Sequence, residues 1–228
     1  VPVVLLSIAW AVSLHLVTAF LYAGLPARPF WNSSLLGPRF LATAFTAGPA
    51  LMILVLTMIR RFGGYPVLPE TIQKLSLVVT VAAQICVVMS ISELFVEFYR
   101  DTHHGMSARY LFFGIGEKRA LVPWIWTSIG LITTATALLT LHRLRARAGV
   151  LYAACVMLFF GILIEKGIGT IIPGFIPEPW GKIHEYAPSW VELTVAMGVW
   201  AMGAFVFTVL AKVAIPIEMG ALRHQADT

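Results

Sequence analysis

Six long apolar runs, separated by shorter polar connections, dominate the hydrophobic pattern of the chain. Each run is long enough to cross roughly 30 Å of hydrocarbon as an α-helix, which rises about 1.5 Å per residue. The predicted spans are residues 1–24, 38–60, 71–98, 121–143, 149–172 and 189–215. The pattern therefore predicts an all-α integral membrane protein, with a six-helix transmembrane bundle over residues 1–215 and a cytoplasmic tail over residues 216–228.

Composition supports a membrane protein. The chain has 228 residues, of which 59% are hydrophobic and 12% are charged, whereas soluble domains carry about 25% charged residues. The net charge of +5 is modest and indicates membrane topology rather than a nucleic-acid partner. Cys86 and Cys155 lie inside apolar runs without a C-x-x-C pair, so we predict buried packing and no metal site. The chain opens inside an apolar run, and we expect its numbering to begin within a longer polypeptide.

The connections between spans differ in charge. Arg60 and Arg61 follow the second span, and Arg143, Arg145 and Arg147 follow the fourth. By the positive-inside rule these short basic connections face the cytoplasm, and so does the C-terminus. The other three connections are longer and mixed, and they lie on the outer side. The predicted location is therefore the cytoplasmic (inner) membrane, which the chain crosses several times.

Ionisable residues inside the spans concentrate toward the predicted outer side, apart from Lys74 and Lys212 near inner ends. The outer group consists of His15, Arg39, Glu93, Glu97, Glu165, Lys166 and Glu192. Helical spacing places the polar residues of a predicted span on one face of its helix, as for Cys86, Ser90 and Glu93 in the third span. Because a charge exposed to lipid at mid-membrane costs on the order of 3 kcal/mol or more, we expect these faces to point into the bundle.

Each of these residues also has a purely structural interpretation. Glu97 can lie in headgroup water, and His15 can be a packing histidine that is hydrogen-bonded to a carbonyl group. Glu165 and Lys166 lie about 100° apart on a helix, so each can pair with another span and simply hold the bundle together. The shared depth of the polar residues, rather than any one of them, favours a functional site.

A histidine and carboxylates beside an apolar cavity suit a quinone. Its ring needs an apolar slot, its oxygens need hydrogen-bond partners, and its redox chemistry moves protons near neutral pH. We predict that His15 and Glu93 exchange these protons. Tyr22, Arg39 and Ser90 are predicted to line the quinone site together with them.

Further polar residues extend this prediction. Glu165, Lys166 and Glu192 are predicted to connect the site to outer water or to a transmembrane proton path. A haem between two in-span histidines is not predicted, because His15 alone is clearly within a span, and we predict no intrinsic metal. The electrons must then come from a partner that docks on the outer connections.

Six collinear blocks cover most of the chain. They are "SLHLVTAFLYAGLPARPFWNSSLLGPRFLATAFTAGPA" (13–50), "SELFVEFY" (92–99), "ARYLFFG" (108–114), "LVPWIWTSI" (121–129), "IEKGIGTIIPGFIPEPWG" (164–181) and "YAPSWVE" (186–192). In order and spacing they resemble the membrane subunits of the polysulfide reductase NrfD-type family, most closely the branch represented by DsrP and HmeB.

The resemblance implies a fold of eight to ten helices, of which this chain resembles the later six. It also implies a quinone site, expected for menaquinone, in a bundle without its own redox metal, beside an extracytoplasmic ferredoxin-like iron–sulfur subunit. Other membrane and cytochrome or catalytic subunits would complete a sulfur-linked complex of anaerobic respiration. Ser13–His15 matches the family's S-x-H motif, and Glu93 matches its acidic position. Glu192 stands where the family's pattern has an aspartate, and this sequence has an insertion before it. The role of Glu192 is therefore open.

Three functions remain open at this point. The first is a quinone-interacting subunit of an electron-transfer complex. The second is a redox-coupled proton-translocating subunit, although the inner half of the spans offers little beyond Thr57, Gln84 and Cys86. The third is a membrane anchor without its own turnover, whose pocket holds only lipid.

Overall fold

The computed structural model of the protein describes residues 2–99, 105–176, 183, 185–186 and 188–220. Over these residues the chain is helical apart from short connections, and six of its helices are long and apolar enough to cross a membrane. The predicted all-α membrane fold is therefore confirmed. The last eight residues of the predicted tail, 221–228, lie outside the described part of the chain.

The helices follow one another with short connections. In chain order they are α1 (Pro2–Ala23), a 3-10 turn (Pro29–Trp31), α2 (Leu36–Phe62), α3 (Pro69–Tyr99), α4 (Gly105–Phe113), α5 (Val122–Thr140), α6 (His142–Arg145), α7 (Ala148–Ile164), a π-helical segment (Glu165–Ile171), α8 (Ile172–Gly174) and α9 (Trp190–Glu218). The six predicted spans correspond to α1, α2, α3, α5, the run from α7 to α8, and α9. The largest shifts are at the ends of α5 and α9, which stop at Thr140 and Glu218 rather than at 143 and 215.

The chain divides into two compact units, one of residues 1–57 with 68–185 and one of residues 58–67 with 186–228. In the second unit, α9 begins with a capping box at Ser189 and Glu192. The Glu192 carboxylate accepts hydrogen bonds from the Ser189 backbone N–H at 2.7 Å and from the Ser189 hydroxyl at 2.9 Å. Such a box satisfies N–H groups that a helix start leaves unpaired. The single bundle over residues 1–215 stays a prediction.

In the first unit, α5 and α7 pack closely because α7 carries a glycine at the contact. A Cβ atom on Gly161 would lie 2.8 Å from the Ile132 side chain, which is too near for any larger residue. The Ser128 hydroxyl donates a hydrogen bond of 2.7 Å to the Gly161 carbonyl. A small residue at a helix contact lets two backbones approach, so this pair forms a rigid wall of the unit.

The connection predicted between the third and fourth spans contains a short buried helix, α4. Tyr110 and Leu111 of α4 are almost completely buried, and the Ser107 hydroxyl donates a hydrogen bond to the Ile176 carbonyl. At nine residues, α4 is too short to cross a membrane. It therefore closes over one end of the first unit instead of forming a span.

The same end of the unit is fixed by an aromatic contact. Trp31 is 1% exposed, and its indole ring lies so near Gly174 that a Cβ atom there would be 1.9 Å from the ring. Trp31 also packs against Tyr22 and Phe175, with ring centroids 4.8 and 4.9 Å away. Only glycine fits at residue 174, and the contact ties α1, the 3-10 turn and α8 together.

Candidate functional site

Arg39 bridges two carboxylates from different helices. One guanidinium nitrogen of Arg39 on α2 pairs with Glu93 on α3, and the other donates to Glu165 in the π-helical segment. The three side chains are only 18%, 14% and 6% exposed, respectively. Charges from three separate spans therefore meet inside the first unit. We name Arg39, Glu93 and Glu165 the charge cluster.

The start of α2 holds Arg39 in place. The Arg39 backbone N–H donates to the Leu35 carbonyl at 2.9 Å. The Thr43 hydroxyl donates to the carbonyls of Arg39 and Phe40, each at 2.9 Å, and Thr43 is itself buried. These local bonds fix the first turns of the helix, so the long Arg39 side chain extends from a defined backbone.

The π-helical segment sets the position of Glu165. The Thr170 hydroxyl donates to the Glu165 carbonyl at 3.1 Å, five residues back. The Thr170 carbonyl in turn accepts a 2.7 Å hydrogen bond from the Trp31 indole N–H. Backbone groups that the wide helical turn displaces are thus bonded to side chains. Short π-helical turns within α-helices frequently occur at functional sites in proteins.

One carboxylate oxygen in the charge cluster is left without a protein partner. Glu165 Oε1 pairs with Arg39, whereas Glu165 Oε2 is buried and has no hydrogen-bond partner among the described residues. Buried polar atoms are nearly always hydrogen-bonded in native proteins. This oxygen is therefore placed to bind a proton, a water molecule or a ligand.

A cavity of about 130 Å³ lies beside the charge cluster. Its walls are mainly apolar and come from α3, α4 and α5, among them Leu94, Leu111, Phe112, Ile125, Ile129 and Ile132. Its polar lining residues are Arg39, Ser90, Glu93, Glu97, Ser128, Thr133 and Glu165. For comparison, an engineered apolar cavity of about 150 Å³ takes up benzene, so the space suits a small flat aromatic group next to charged hydrogen-bonding groups.

The structure brings four of the sequence-predicted residues together at this cavity. They are Arg39, Ser90, Glu93 and Glu165, and Glu97 of the outer polar group lines the cavity as well. Lys166 points elsewhere, with its ammonium 4.5 Å from the centre of the Phe40 ring and 3.4 Å from the Phe40 carbonyl oxygen. Glu165 and Lys166 thus contact different groups, as their angular separation on a helix predicts.

The other predicted residues do not line this cavity. His15 Nδ1 lies 2.9 Å from the Ala11 carbonyl oxygen, and because a carbonyl only accepts, Nδ1 carries the proton. Tyr22 packs against Trp31 and Phe40. Glu192 belongs to the second unit, where it caps α9. The functions predicted for these three residues stay predictions.

Sequence reasoning missed the part that α4 plays. Ala108, Leu111 and Phe112 all line the cavity, although the hydropathy pattern predicts a connection for their segment. Their spacing of three and four residues is typical of one face of an amphipathic helix. That spacing was the signal that could have identified α4 as a wall of the site.

Behind this wall lies a buried tyrosine. Tyr110 is 0% exposed, and its hydroxyl has no hydrogen-bond partner among the described residues. Burial, and secondarily the Glu185 carboxylate, raises the pKa of Tyr110 above its ordinary value of 10.0. The phenol therefore stays neutral at physiological pH.

No group of three or more metal-ligating side chains is present among the residues that the structure describes. Both cysteines are free and buried, as predicted. At the cavity, the charge cluster can form hydrogen bonds with a ligand and exchange protons with it.

Comparison with known proteins places this site in context. The family model described as "Polysulphide reductase, NrfD" matches residues 1–176, which include every residue of the charge cluster and the cavity. A curated relative from Halobacterium salinarum, provisionally named as a membrane subunit of dimethyl sulfoxide reductase, is 27% identical over 216 residues. The alignment covers 86% of this chain and 49% of the relative, so the chain spans about half the length of that relative.

Proposed function

The chain belongs to the polysulphide reductase NrfD family, and from this premise we propose that it is the quinone-interacting membrane subunit of a reductase complex. It exchanges electrons between a quinone, which we expect to be menaquinone, and an extracytoplasmic iron–sulfur partner. Protons are taken up or released at the charge cluster. The relative's name refers to a membrane subunit of a reductase, which supports the general assignment but not the identity of the substrate or partners.

The observation that carries the proposal is the position of the cavity. It combines apolar walls with a guanidinium, three carboxylates and hydroxyl groups that include that of Ser90. Pockets for small ligands are typically apolar with a few convergent polar groups that fix orientation. A quinone head, with a flat apolar ring and two oxygens, has the complementary chemistry.

The charge cluster provides the proton chemistry. Reduction of a quinone consumes two electrons and two protons, and oxidation of the quinol releases them. In the proposal the electrons pass to or from the iron–sulfur partner, and Arg39 and Ser90 hold the quinone oxygens. Glu93 exchanges a proton with the head group, and the open Oε2 atom of Glu165 passes a proton toward outer water.

Charge counting supports a proton-carrying cluster. One guanidinium and two ionised carboxylates sum to a single negative charge, so uptake of one proton makes the cluster neutral. Arg39 then still has one ionised partner, and no buried charge is left unpaired, which would be the costly arrangement. His15 stays a proposed proton relay, and Lys166 and Glu192 stay proposed members of a proton path.

A cavity-filling variant tests the proposal. Ile129 lines the cavity, and we expect Ile129→Trp to raise the quinone Kd at least about tenfold, which corresponds to about 1.4 kcal/mol. The measurement is equilibrium binding of a labelled naphthoquinone to the purified full-length subunit in lipid nanodiscs. Ile85→Trp is the matched control, because Ile85 is 50% exposed and lies outside the cavity lining.

Two results would contradict the proposal. Unchanged affinity in Ile129→Trp would show that the quinone does not enter this cavity. Absence of any quinone binding to the unmodified protein would favour the anchor function, in which the pocket holds only lipid.

A further inference from the structure

The cavity accommodates a ring but not a complete membrane quinone. At about 130 Å³ it is smaller than the roughly 300–1,000 Å³ of pockets that enclose drug-sized ligands. Membrane quinones carry a polyprenyl tail that greatly exceeds the ring in size. If the head occupies the cavity, as the proposed function requires, the tail must leave through an opening toward the lipid.

A shallow groove on the surface of α3 and α5 begins where the cavity ends. Its lining consists of Val87, Thr133, Thr136, Ala137, Thr140 and Leu141. Two of these residues, Val87 and Thr133, also line the cavity. The two spaces are therefore adjacent, because they share one lining residue from each of the two helices.

The cavity also opens between these helices at its margin. Ile91, a cavity residue on α3, is 61% exposed, and Thr133 on α5 is exposed as well. The remaining cavity walls include the buried residues Leu111 and Ile125. The opening between α3 and α5 thus leads into the groove, whereas the α4 side is closed.

The groove has threonines but presents few free polar groups. The hydroxyl of Thr133 donates to the Ile129 carbonyl at 2.6 Å, and that of Thr136 donates to the Ile132 carbonyl at 2.7 Å. The Thr140 hydroxyl donates to the Thr136 carbonyl, also at 2.7 Å. Because each hydroxyl proton is bound within α5, these side chains have no free hydrogen-bond donor, and the lining of the groove is mainly apolar.

A hydrogen bond between helices marks the far end of the groove. The Gln84 amide on α3 donates to the Thr140 hydroxyl at 2.9 Å. From Thr133 to Thr140 the helix rises by about 10 Å, at about 1.5 Å per residue. The groove is thus an apolar track of this length that leads away from the charge cluster.

We propose that this groove is a subsite for the isoprenoid tail of the quinone whose head occupies the cavity. The first part of the tail lies along α5 between Thr133 and Leu141, with the Thr methyl groups and Ala137 beneath it. A water-filled proton path is a poorer occupant, because the threonine hydroxyl protons are already bound to helix carbonyls. Burying the tail in the groove adds apolar contact, which favours tailed over tailless quinones.

The test blocks the groove without touching the cavity. Ala137 is exposed and lines only the groove. We expect Ala137→Trp to weaken binding of a polyprenyl naphthoquinone about tenfold and to leave the affinity for the tailless ring nearly unchanged. Ala137→Leu fills less space and should give a smaller effect of the same kind. Equilibrium binding of both labelled quinones to the full-length subunit in nanodiscs provides the measurement.

Ala153→Trp is the matched control, because Ala153 is an exposed alanine on α7 outside the groove lining. An equal loss of affinity for both quinones, or no loss for either, would refute the tail subsite while leaving the head-group site intact. If the unmodified protein binds neither quinone, the proposed function itself fails, and the tail subsite fails with it.

Discussion

The helical run from Ala148 to Gly174 contains two regions that bury different chemistry. In α7 the buried residues are apolar or small, namely Leu151, Ala154, Cys155, Leu158, Gly161 and Ile162. In the π-helical segment that follows, the buried residues are Glu165, Gly169 and Thr170. A single hydrophobic run thus passes from packing to a polar site, and the change in helical geometry marks the boundary.

The two regions are stabilised by different kinds of interaction. The α7 contacts depend on close packing, which is sensitive to side-chain volume. The π-helical segment depends on ion pairs and directional hydrogen bonds, in which loss of one partner leaves the other buried and unpaired. Substitutions should therefore affect the two regions by different mechanisms and to different degrees.

The largest effect is expected at the charge cluster. Arg39→Leu would leave Glu93 and Glu165 without their shared cation, and removing one partner of a buried ion pair costs about 3–5 kcal/mol. Thermal unfolding of the purified protein in detergent should show this loss of stability. Unfolding at the temperature of the unmodified protein would show that the cluster contributes little to the fold.

A triple variant separates stability from function at the same position. Arg39→Leu combined with Glu93→Leu and Glu165→Leu removes all three charges, and replacing a whole buried ion cluster with apolar residues of similar size is often close to neutral. We expect most of the stability to return, whereas the triple variant should no longer bind the proposed quinone. Retained binding would show that the charges are not needed to hold the head group.

An intermediate effect is expected in the packed region. Gly161→Leu would place side-chain atoms against Ile132, where even a Cβ atom comes within 2.8 Å. Overpacking of this kind costs about 1–3 kcal/mol, and the same unfolding assay measures it. Gly149→Leu serves as a control, because a Cβ atom at Gly149 meets no atom within 4 Å. Equal stability of the two variants would mean that α5 and α7 are less tightly packed than described.

The smallest effect concerns the π-helical hydrogen bond. Thr170→Val removes the hydroxyl that donates to the Glu165 carbonyl, for an expected loss of about 0.5–1.5 kcal/mol. Thr46→Val is the matched control, because the buried Thr46 hydroxyl donates only to a carbonyl four residues back within α2. Comparable losses in the two variants would argue that the π-helical bond has no special structural importance.

Hydropathy and length predicted the six spans because a membrane helix must be long and apolar along its whole length. The same reasoning predicted Arg39, Glu93 and Glu165 at one level of the bundle, and the three side chains are in contact with one another. The cost of exposing a charge to lipid explains this success. Sequence periodicity indicates which face of a helix is polar. Tertiary packing decides which other helix that face contacts.

Other features depend on contacts that the local sequence does not encode. The π-helical turn is bonded to Trp31, which lies 139 residues away from Thr170, so no window around Glu165 could have predicted it. Helix α4 was missed because nine residues in a mixed segment produce no span-length apolar run. The placement of Tyr22 against Trp31 rather than at the cavity likewise follows from tertiary packing.

Arg39 forms ion pairs with both α3 and the π-helical segment, so the charge state of one affects the electrostatic interaction with the other. When one carboxylate is protonated, the Arg39 guanidinium keeps only one ionised partner. That partner lies on the other helix. Protonation of the carboxylate on one helix therefore strengthens the ion pair between Arg39 and the carboxylate on the other helix. One arginine thus makes the electrostatic attraction between three transmembrane segments depend on the protonation of two carboxylates.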